Sequence, residues 1–463
     1  MSADLGHAAH SLPDGRLGLP GPMPRPIKVV MIGAGSFFTA SILRDVVMIP
    51  NHSGGELCLI DIDAERLELS RRLMVKILEA TEQSERWTVR ASTDRREFLP
   101  DADYLINSIE VEGEACVRPD NDIPLEYGVS QCIGDTIGPG GLFKAMRTVP
   151  EWLRILRDTE ELAPHCRVLN YTNPMSIMCL AASRSSHLPH IGLCHSVQGT
   201  GRMLARYAGV AYEEMKWQCA GVNHLAWFTE LRSPDGGDLY DVLMPMARDR
   251  GSDFAIAEPV RSDMMMHFGA FITESSGHLS EYLPYYRTSA ELRETYTASG
   301  YRGEESFYAN NWPNWRRAQD EKRRQIDAGT EQPDLARSYE YGAWIIEAIE
   351  KNVPFVVHGN VPNRGCIENL MPDGVVEVAC LVDRNGWQPT RFGRLPKAMA
   401  AVCEWQMRMY DLAADACLTG DRDVAKQALY LDPLTAAVCS PAQISEMFDR
   451  MFDAEAAYLP DFR

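Results

Sequence analysis

The amino-acid sequence predicts an α/β protein in which a doubly wound parallel sheet is followed by a second, mixed α/β domain. A short β-rich run at residues 27–32 leads into a glycine turn, after which apolar residues recur at helical spacing up to residue 46. A second β-rich run at 57–60 precedes a charged amphipathic helix over about 64–80, and a third run lies at 104–108. Strands that alternate with helices form right-handed βαβ units and a mostly parallel sheet.

The turn after the first strand is typical of a Rossmann-like domain that binds a dinucleotide. Gly33 and Gly35 occupy the first two glycine positions of that fingerprint, whereas Phe38 stands where a third glycine is usual. Asp61 ends the second strand, where a carboxylate binds both ribose hydroxyls of NAD and repels the 2′-phosphate of NADP. An ordinary tight turn followed by an acidic loop is the alternative. The expected NAD-binding residues are Gly33, Gly35, Ser36, Phe37 and Asp61.

The composition excludes several classes of partner. The 463 residues include 46 Lys and Arg against 65 Asp and Glu, a formal charge of −19, which argues against nucleic acid or an anionic membrane as partner. The longest uncharged stretch in the middle of the chain, 168–183, is shorter than the ~20 residues that span a bilayer. Twelve Cys without CxxC pairs indicate reduced thiols, and the first residues lack the pattern of a secretory signal. We therefore expect a cytoplasmic protein.

The pattern divides the chain into three parts. Residues 1–26 are rich in Gly, Pro and small residues and predict a flexible leader. Residues 27–200 are expected to form the NAD-binding domain. Residues 201–463 predict a mixed α/β domain, with helices around 335–351 and 395–417.

Polar residues follow two neighbouring strand-like runs in the first domain. The run 167–170 ends in a turn-rich cluster that contains Asn173, and the run 191–193 ends at Cys194 and His195. Ligands in open α/β sheets bind beyond the carboxyl ends of the strands, so substrate and cofactor are expected to meet there. His224 lies in an apolar run further along the chain, and with Cys194 it could bind a metal if the fold brings the two together. A buried thiol and a core imidazole are the alternative.

Motifs in a fixed order carry a resemblance to a known family. They read GAGS at 33–36, DID at 61–63, IGDT at 133–136, GGLFKAMRT at 140–148, NYTNPM at 170–175, GLCHS at 192–196 and GVNH at 221–224. The chain strongly resembles glycoside hydrolase family 4, especially its α-galactosidase and α-galacturonidase branch. TESSGH at 273–278 and NVPNRG at 360–365 extend the resemblance into the second domain, so that it covers about residues 27–400.

The resemblance implies an unusual route to hydrolysis of an α-glycoside, distinct from the two-carboxylate scheme of most glycosidases. In that family, NAD⁺ takes hydride from C3 of the sugar and a base removes the acidified C2 proton. A divalent metal, typically Mn²⁺, stabilises the resulting enediolate. The aglycone leaves by elimination, water adds, and the hydride returns to C3. A small-molecule glycoside is the implied substrate, and a homodimer or homotetramer the implied assembly. The resemblance also implies that residues 201–463 complete the substrate and metal sites and carry the contacts between subunits.

The resemblance also assigns roles to individual residues. The family's two protein metal ligands fall on Cys194 and His224, and its sugar-binding asparagine on Asn173. Where some members have an acidic general acid after the metal-binding Cys, this chain has His195, so the acid does not carry over by identity. His195 could protonate the departing oxygen, or it could support the metal site. The remaining expected residues are Asp135 as an acidic assistant to the base, Tyr282 or its neighbour Glu281 as the base, and Ser276 and His278 beside sugar or metal.

Three alternatives remain open at this point. Arg118 or Arg147 could bind an anionic sugar, which would make the substrate an α-galacturonide or a sulfoquinovoside. A plain NAD-dependent dehydrogenase shares the first domain and would release NADH in proportion to product. An inert NAD-binding regulator would show no turnover at all.

Overall fold

The computed structural model describes residues 18–36 and 38–463. Its strands form one mixed, twelve-stranded sheet. They are β1 (Ile27–Ile32), β2 (Gly55–Ile60), β3 (Trp87–Ser92), β4 (Tyr104–Asn107), β5 (Arg167–Asn170), β6 (His190–Gly192), β7 (Lys216–Val222), β8 (Leu225–Arg232), β9 (Phe271–Ile272), β10 (Phe355–Pro362), β11 (Val375–Asp383) and β12 (Gly386–Pro389).

The α-helices of the described residues pack around this sheet. They are α1 (Phe38–Val47), α2 (Ala64–Ala80), α3 (Gly113–Glu126), α4 (Gly138–Leu162), α5 (Met175–Ser185), α6 (Ser196–Ala208), α7 (Tyr240–Arg248), α8 (Asp253–Ala257), α9 (Pro259–Phe268), α10 (Ser276–Leu279), α11 (Ala290–Tyr296), α12 (Phe307–Asp327), α13 (Tyr341–Lys351), α14 (Lys397–Thr419), α15 (Arg422–Tyr430), α16 (Pro433–Val438) and α17 (Pro441–Glu455).

The predicted Rossmann-like sheet is confirmed. Its parallel strands lie in the order β3-β2-β1-β4-β5-β6, the order of doubly wound dinucleotide-binding domains. Strand β1 is almost wholly buried and pairs in parallel with both β2 and β4. Strands covered on both faces need near-continuous apolar sequence rather than alternation, which is why the run 27–32 is a reliable signal. The sheet reverses its strand order beside β1, so the carboxyl ends there flank a crevice.

The second half of the chain extends the same sheet. Strand β10 pairs antiparallel with β6 through Asn360 and Gly192, and β11 pairs antiparallel with both β10 and β7. The predicted division near residue 200 falls inside α6, between strands that this pairing joins. The two halves therefore share backbone hydrogen bonds as well as side-chain packing.

The helix predicted around 335–351 begins later than expected. Helix α13 starts at Tyr341, because the segment before it is held in an extended conformation against α1. The backbone N–H of Ser338 donates to Asp45 at 3.0 Å, and the Ser338 hydroxyl donates to the same carboxylate. The Asp45 side chain, distant in sequence, thus accepts the Ser338 N–H that would donate to a backbone carbonyl in a helix.

Residues 18–26 of the predicted leader pack against α13 rather than remaining free. Leu19 is buried, its N–H donates to Glu347 Oε1 at 2.8 Å, and its carbonyl accepts from Lys351 Nζ at 2.8 Å. Arg25 forms an ion pair with Glu350 at 2.7 Å. The prediction of a flexible leader does not hold for this stretch, and residues 1–17 lie outside the described residues.

Among the described residues, every helix is too short or too polar to cross a bilayer.

The docked segment leads to a stability prediction. A chain that begins at residue 27 should have an unfolding free energy roughly 3 kcal/mol lower than one that begins at Gly18, because it loses the burial of Leu19 and Met23. Urea denaturation of the two chains measures the difference. Coincident unfolding curves would show that the segment adds nothing to the fold.

Candidate active site

Three side chains from separate parts of the sheet converge on one point. Cys194 follows β6, His224 lies in the tight turn between β7 and β8, and Glu274 follows β9. His224 Nε2 lies 3.3 Å from Cys194 Sγ and 3.4 Å from Glu274 Oε2. All three ligand atoms lie within 4.8 Å of one another, so one sulfur, one nitrogen and one oxygen atom could hold a divalent metal ion.

The backbone at two of these residues adopts a conformation that side chains disfavour. His224 has φ of 62° and Glu274 has φ of 75°, both in the left-handed region. Such a conformation costs about 1–3 kcal/mol and persists where the surrounding structure enforces it, most often at functional sites. The strain at both residues supports a role that depends on where their side chains point.

A chain of polar contacts continues from His224 to the other predicted site residues. The Tyr282 hydroxyl lies 2.9 Å from His224 Nδ1 and 3.4 Å from His278 Nε2. His278 Nε2 in turn lies 3.7 Å from Asp135 Oδ1. Asn173 donates to Asp135 Oδ2 at 3.3 Å. The structure thus brings Asp135, Asn173, His278 and Tyr282 together beside the Cys194–His224 pair.

Nearby positive charge keeps Asp135 ionised. Burial alone would raise the pKa of Asp135, but Lys144 and His278 outweigh it and lower that pKa to about 2. Lys144 Nζ lies 3.8 Å from Asp135 Oδ2 and 2.6 Å from Glu110 Oε2. At neutral pH the Asp135 carboxylate therefore accepts hydrogen bonds and has no proton to donate.

The two neighbouring candidates for the base have different surroundings. The buried Glu281 carboxylate accepts the backbone N–H of Ile133 at 2.5 Å, that of Gly134 at 3.1 Å, and that of Cys132. It also lies 3.1 Å from His278 Nδ1. Glu281 therefore stabilises the turn that leads to Asp135. The hydroxyl of Tyr282, by contrast, points at the imidazoles of His224 and His278.

Ser276 and His195 lie on the margins of this cluster. The buried Ser276 hydroxyl donates to Glu258 at 2.9 Å and accepts the N–H of Arg261 at 3.2 Å, so it joins α9 to α10 instead of facing the other site residues. The His195 side chain is 45% exposed, and its Nδ1 lies 3.7 Å from Glu340 Oε1. Burial would lower the pKa of His195, but Glu340 and Cys194 outweigh it and raise the pKa.

The glycine turn has the geometry expected of a dinucleotide site. Gly33 has φ of 81°, and a Cβ atom there would lie 2.3 Å from the carbonyl oxygen of Ser108, so only glycine fits. The N–H of Gly35 donates to Asp61 Oδ2 at 2.7 Å, which places the predicted ribose-binding carboxylate against the turn. The Ser36 hydroxyl accepts from Ser108 at 2.9 Å. Phe37 lies outside the described residues.

Phe38 replaces the third glycine without blocking the packing of helix and strand. It opens α1 with its side chain partly exposed, and its ring stacks on Tyr171 with the centroids 6.4 Å apart. The ring therefore lies beside the turn, outside the space between α1 and the sheet.

Both halves of the chain match models of one enzyme family. The model of family 4 glycosyl hydrolases matches residues 28–210, and the model of the C-terminal domain of that family matches residues 219–435. The chain belongs to glycosyl hydrolase family 4. The resemblance read from the motifs is confirmed, and the protein is a glycosidase.

Relatives of this family 4 glycosidase match it over nearly their whole length. Two α-galactosidases, from Rhizobium meliloti (strain 1021) and Bacillus subtilis (strain 168), are each 35% identical to it, over 94% of this chain and 89% and 100% of theirs. A 6-phospho-α-glucosidase from gut microorganisms, solved in complex with NAD and Mn²⁺, superposes with a TM-score of 0.78 at 22% identity. That match covers 95% of this chain and 100% of the other.

The two arginines considered for an anionic sugar both have other partners in this glycosidase. Arg147 is fully buried and pairs with Asp120 at 2.6 Å and with Glu455 at 2.9 Å. Arg118 is exposed and lies 3.8 Å from Asp122, one helical turn along α3. Arg147 therefore pairs with two buried acidic side chains and is not available to bind a ligand.

Sequence reasoning missed several functional candidates in this family 4 chain. Glu274 stood inside a recognised motif, but β9 before it has two residues and gives no periodic signal. Glu377 is buried in β11, where it accepts a 3.4 Å hydrogen bond from Asn360, and burial raises its pKa to about 8. A carboxylate in an otherwise apolar strand was the available signal for Glu377. Nothing in the sequence linked Glu340 to His195.

Because Glu281 and Tyr282 have different hydrogen-bond partners, substitutions at the two residues should change stability by different amounts. Glu281→Gln should lower the unfolding free energy by roughly 2–4 kcal/mol, because an amide loses the charge that the three backbone donors require. Tyr282→Phe should lower it by only about 1–2 kcal/mol, because it removes a short hydrogen bond to His224 and a longer one to His278 and strands no backbone donor. Urea denaturation provides the comparison, with the exposed Glu368→Gln as matched control. Equal stability of Glu281→Gln and the control would contradict the anchoring role.

Proposed function

We propose that this family 4 glycosidase hydrolyses a neutral α-galactoside, using bound NAD⁺ and a divalent metal, Mn²⁺ by preference. The observation that carries the proposal is the convergence of Cys194, His224 and Glu274 beside the Tyr282 hydroxyl. The two α-galactosidases at 35% identity support the choice of sugar. The neighbour solved with NAD and Mn²⁺ supports the choice of cofactors.

The donor set fits a divalent metal. Thiolate, imidazole and carboxylate ligands come from Cys194, His224 and Glu274, and their ligand atoms are close enough to share one ion. A metal bound there supplies positive charge that polarises sugar hydroxyls and lowers the pKa of nearby acids. Burial raises the pKa of Tyr282 well above that of free tyrosine, so this phenol needs such a charge before it can act as a base.

The glycine turn fits NAD. Gly33 and Gly35 let the backbone approach a pyrophosphate closely, and Asp61 lies beside them for the adenosine ribose. Bound at this turn, NAD⁺ would supply a hydride acceptor for C3 of the sugar and, in reduced form, the donor for the reverse transfer, so that no net oxidation would result.

The side chains of this protein carry out the proton transfers in this scheme. Tyr282 takes the C2 proton, its hydroxyl held in place by His224 and His278. Asp135 remains ionised, accepts from Asn173 and orients both that amide and His278 toward the sugar. His195 protonates the departing glycosidic oxygen.

The environment of His195 suits that last role. Its side chain is 45% exposed and adjoins Cys194 in sequence, which leaves room for an aglycone beside it. Glu340 lies 3.7 Å away and stabilises the protonated imidazole. Some family members carry an acidic residue at the position of His195. In this chain the imidazolium of His195 would donate the proton instead of a carboxylic acid.

The choice of a neutral sugar rests on charge. The guanidinium of Arg147 is taken up by Asp120 and Glu455, so it has no interaction left for a galacturonide carboxylate or a sulfonate. A neutral galactoside needs only hydrogen bonds from amides, hydroxyls and carboxylates of the kind assembled around Asp135.

Compartment and assembly complete the proposal. All twelve cysteines are free, which suits a reducing cytoplasm. We also infer a homodimer or homotetramer, the assembly that the family resemblance implies.

A substrate panel tests the function directly. With catalytic NAD⁺ and Mn²⁺ under reducing conditions, p-nitrophenyl α-galactoside should be hydrolysed at least about tenfold faster than the α-galacturonide, roughly the effect of one unmatched charge. No NADH should accumulate, and in D₂O the product should carry deuterium at C2. Stoichiometric NADH would indicate a dehydrogenase, and absence of turnover on every glycoside would indicate a regulator. Preference for a galacturonide or sulfoquinovoside would overturn the choice of sugar.

Metal binding tests the ligand set. Cys194→Ser and Glu274→Gln should each weaken Mn²⁺ binding at least about tenfold, since each removes a ligand or its charge. Isothermal titration calorimetry gives the affinities. The matched control is Cys439→Ser, because the buried Cys439 thiol donates a hydrogen bond to the carbonyl of Tyr127. Equal Mn²⁺ affinity of Cys194→Ser and Cys439→Ser would remove Cys194 from the set.

A further inference from the structure

The cofactor turn is contacted by a side chain from the second half of the chain. Arg323, near the end of α12, donates from Nη1 to the carbonyl oxygen of Gly35 at 3.0 Å and from Nη2 to that of Ser36 at 2.5 Å. Arg323 is only 4% exposed. Two N–H groups of its guanidinium therefore donate to the backbone of a turn nearly 290 residues earlier in the sequence.

The surroundings of Arg323 hold it in that position. Asp320, one turn earlier in α12, lies 3.3 Å from Arg323 Nη1 and also pairs with Arg66 of α2 at 3.2 Å. Burial and Arg66 lower the pKa of Arg323 to about 10, partly offset by Asp320 and Asp61, so the group stays charged at neutral pH.

Carbonyl oxygens at this turn would oppose an anionic ligand. Each carries partial negative charge, and two of them directed at a pyrophosphate would repel it. A guanidinium that binds both keeps them turned toward α12 and adds one positive charge near the diphosphate. Charge-assisted hydrogen bonds are the stronger kind, and the fork of Arg matches two acceptors better than the single amine of Lys.

We propose that Arg323 is a positioning residue for the dinucleotide, which holds the glycine turn in the form that accepts a pyrophosphate, so that α12 completes the cofactor site. The proposal rests on the proposed use of NAD⁺. It extends that function by making the cofactor site depend on both halves of the chain.

Other contacts of α12 are consistent with this role. Its first turn is tied to the sugar side of the site, where the N–H of Tyr308 donates to the carbonyl of Cys132 at 2.9 Å. Near its other end, Arg72 of α2 pairs with Asp327 at 3.0 Å. The helix is therefore fixed at both ends, and the Arg323 side chain reaches the turn from a rigid support.

Equilibrium binding to the full-length protein tests the proposal without sugar or metal. Arg323→Met should weaken binding of NAD⁺ about tenfold, which corresponds to ~1.4 kcal/mol, and should weaken binding of ADP-ribose by the same factor because both contain the diphosphate. Arg323→Lys retains the charge and can reach one carbonyl, so it should recover part of the loss. Arg324→Met is the matched control, because the half-exposed Arg324 pairs with Glu65 and does not contact the turn.

The outcomes separate this proposal from the proposed function. Wild-type protein that binds NAD⁺, together with an unchanged affinity of Arg323→Met, would overturn the role of Arg323 alone. A loss for NAD⁺ without a loss for ADP-ribose, or an equal loss in Arg324→Met, would overturn it as well. Wild-type protein that binds neither ligand would overturn the proposed function together with this inference. Should Arg323→Met fail to fold, as judged by circular dichroism, the affinity of Arg323→Lys decides, since wild-type affinity in that variant would contradict the requirement for two donors.

Discussion

Pairing across four strands fixes the distance between Cys194 and His224, the two side chains around which the candidate site is built. Gly192, Asn360, Glu377 and Gly221 are successive register partners along β6, β10, β11 and β7. Cys194 follows the first of these strands, and His224 follows the last. Because backbone hydrogen bonds join the strands, the separation of Cys194 and His224 is a property of the sheet and needs no flexible loop.

The parallel half of the sheet was readable from sequence because its signals are local. The buried run of β1, the glycines after it and Asp61 at the end of β2 all lie within one βαβ unit, and each depends on residues a few positions away. The resemblance to family 4 then named Cys194 and His224. Their approach to 3.3 Å depends on antiparallel strands whose pairing the sequence pattern does not reveal.

The parts that sequence reasoning could not supply depend on contacts between distant residues. The pattern of residues 18–26 predicts part of a flexible leader, and only α13, more than 300 positions later, provides Glu347 and Glu350 as their partners. Arg147 could be a ligand for an anion until Asp120 and Glu455 are seen to enclose it. Glu281 and Tyr282 are adjacent in sequence, and only the backbone amides of the turn at 132–134 show which of them is structural. In each case the sequence gives the chemistry of the side chain, whereas only the fold shows which group it contacts.

The carboxylate of Glu281 has a consequence for how a sugar enters and leaves. It holds the turn before Asp135 and the ring of His278 at the same time, and both groups form one wall of the site. Swinging that wall outward would break the hydrogen bonds of three buried amide donors, a cost of several kcal/mol. Access from the side of His195, whose side chain is 45% exposed, would leave those hydrogen bonds intact.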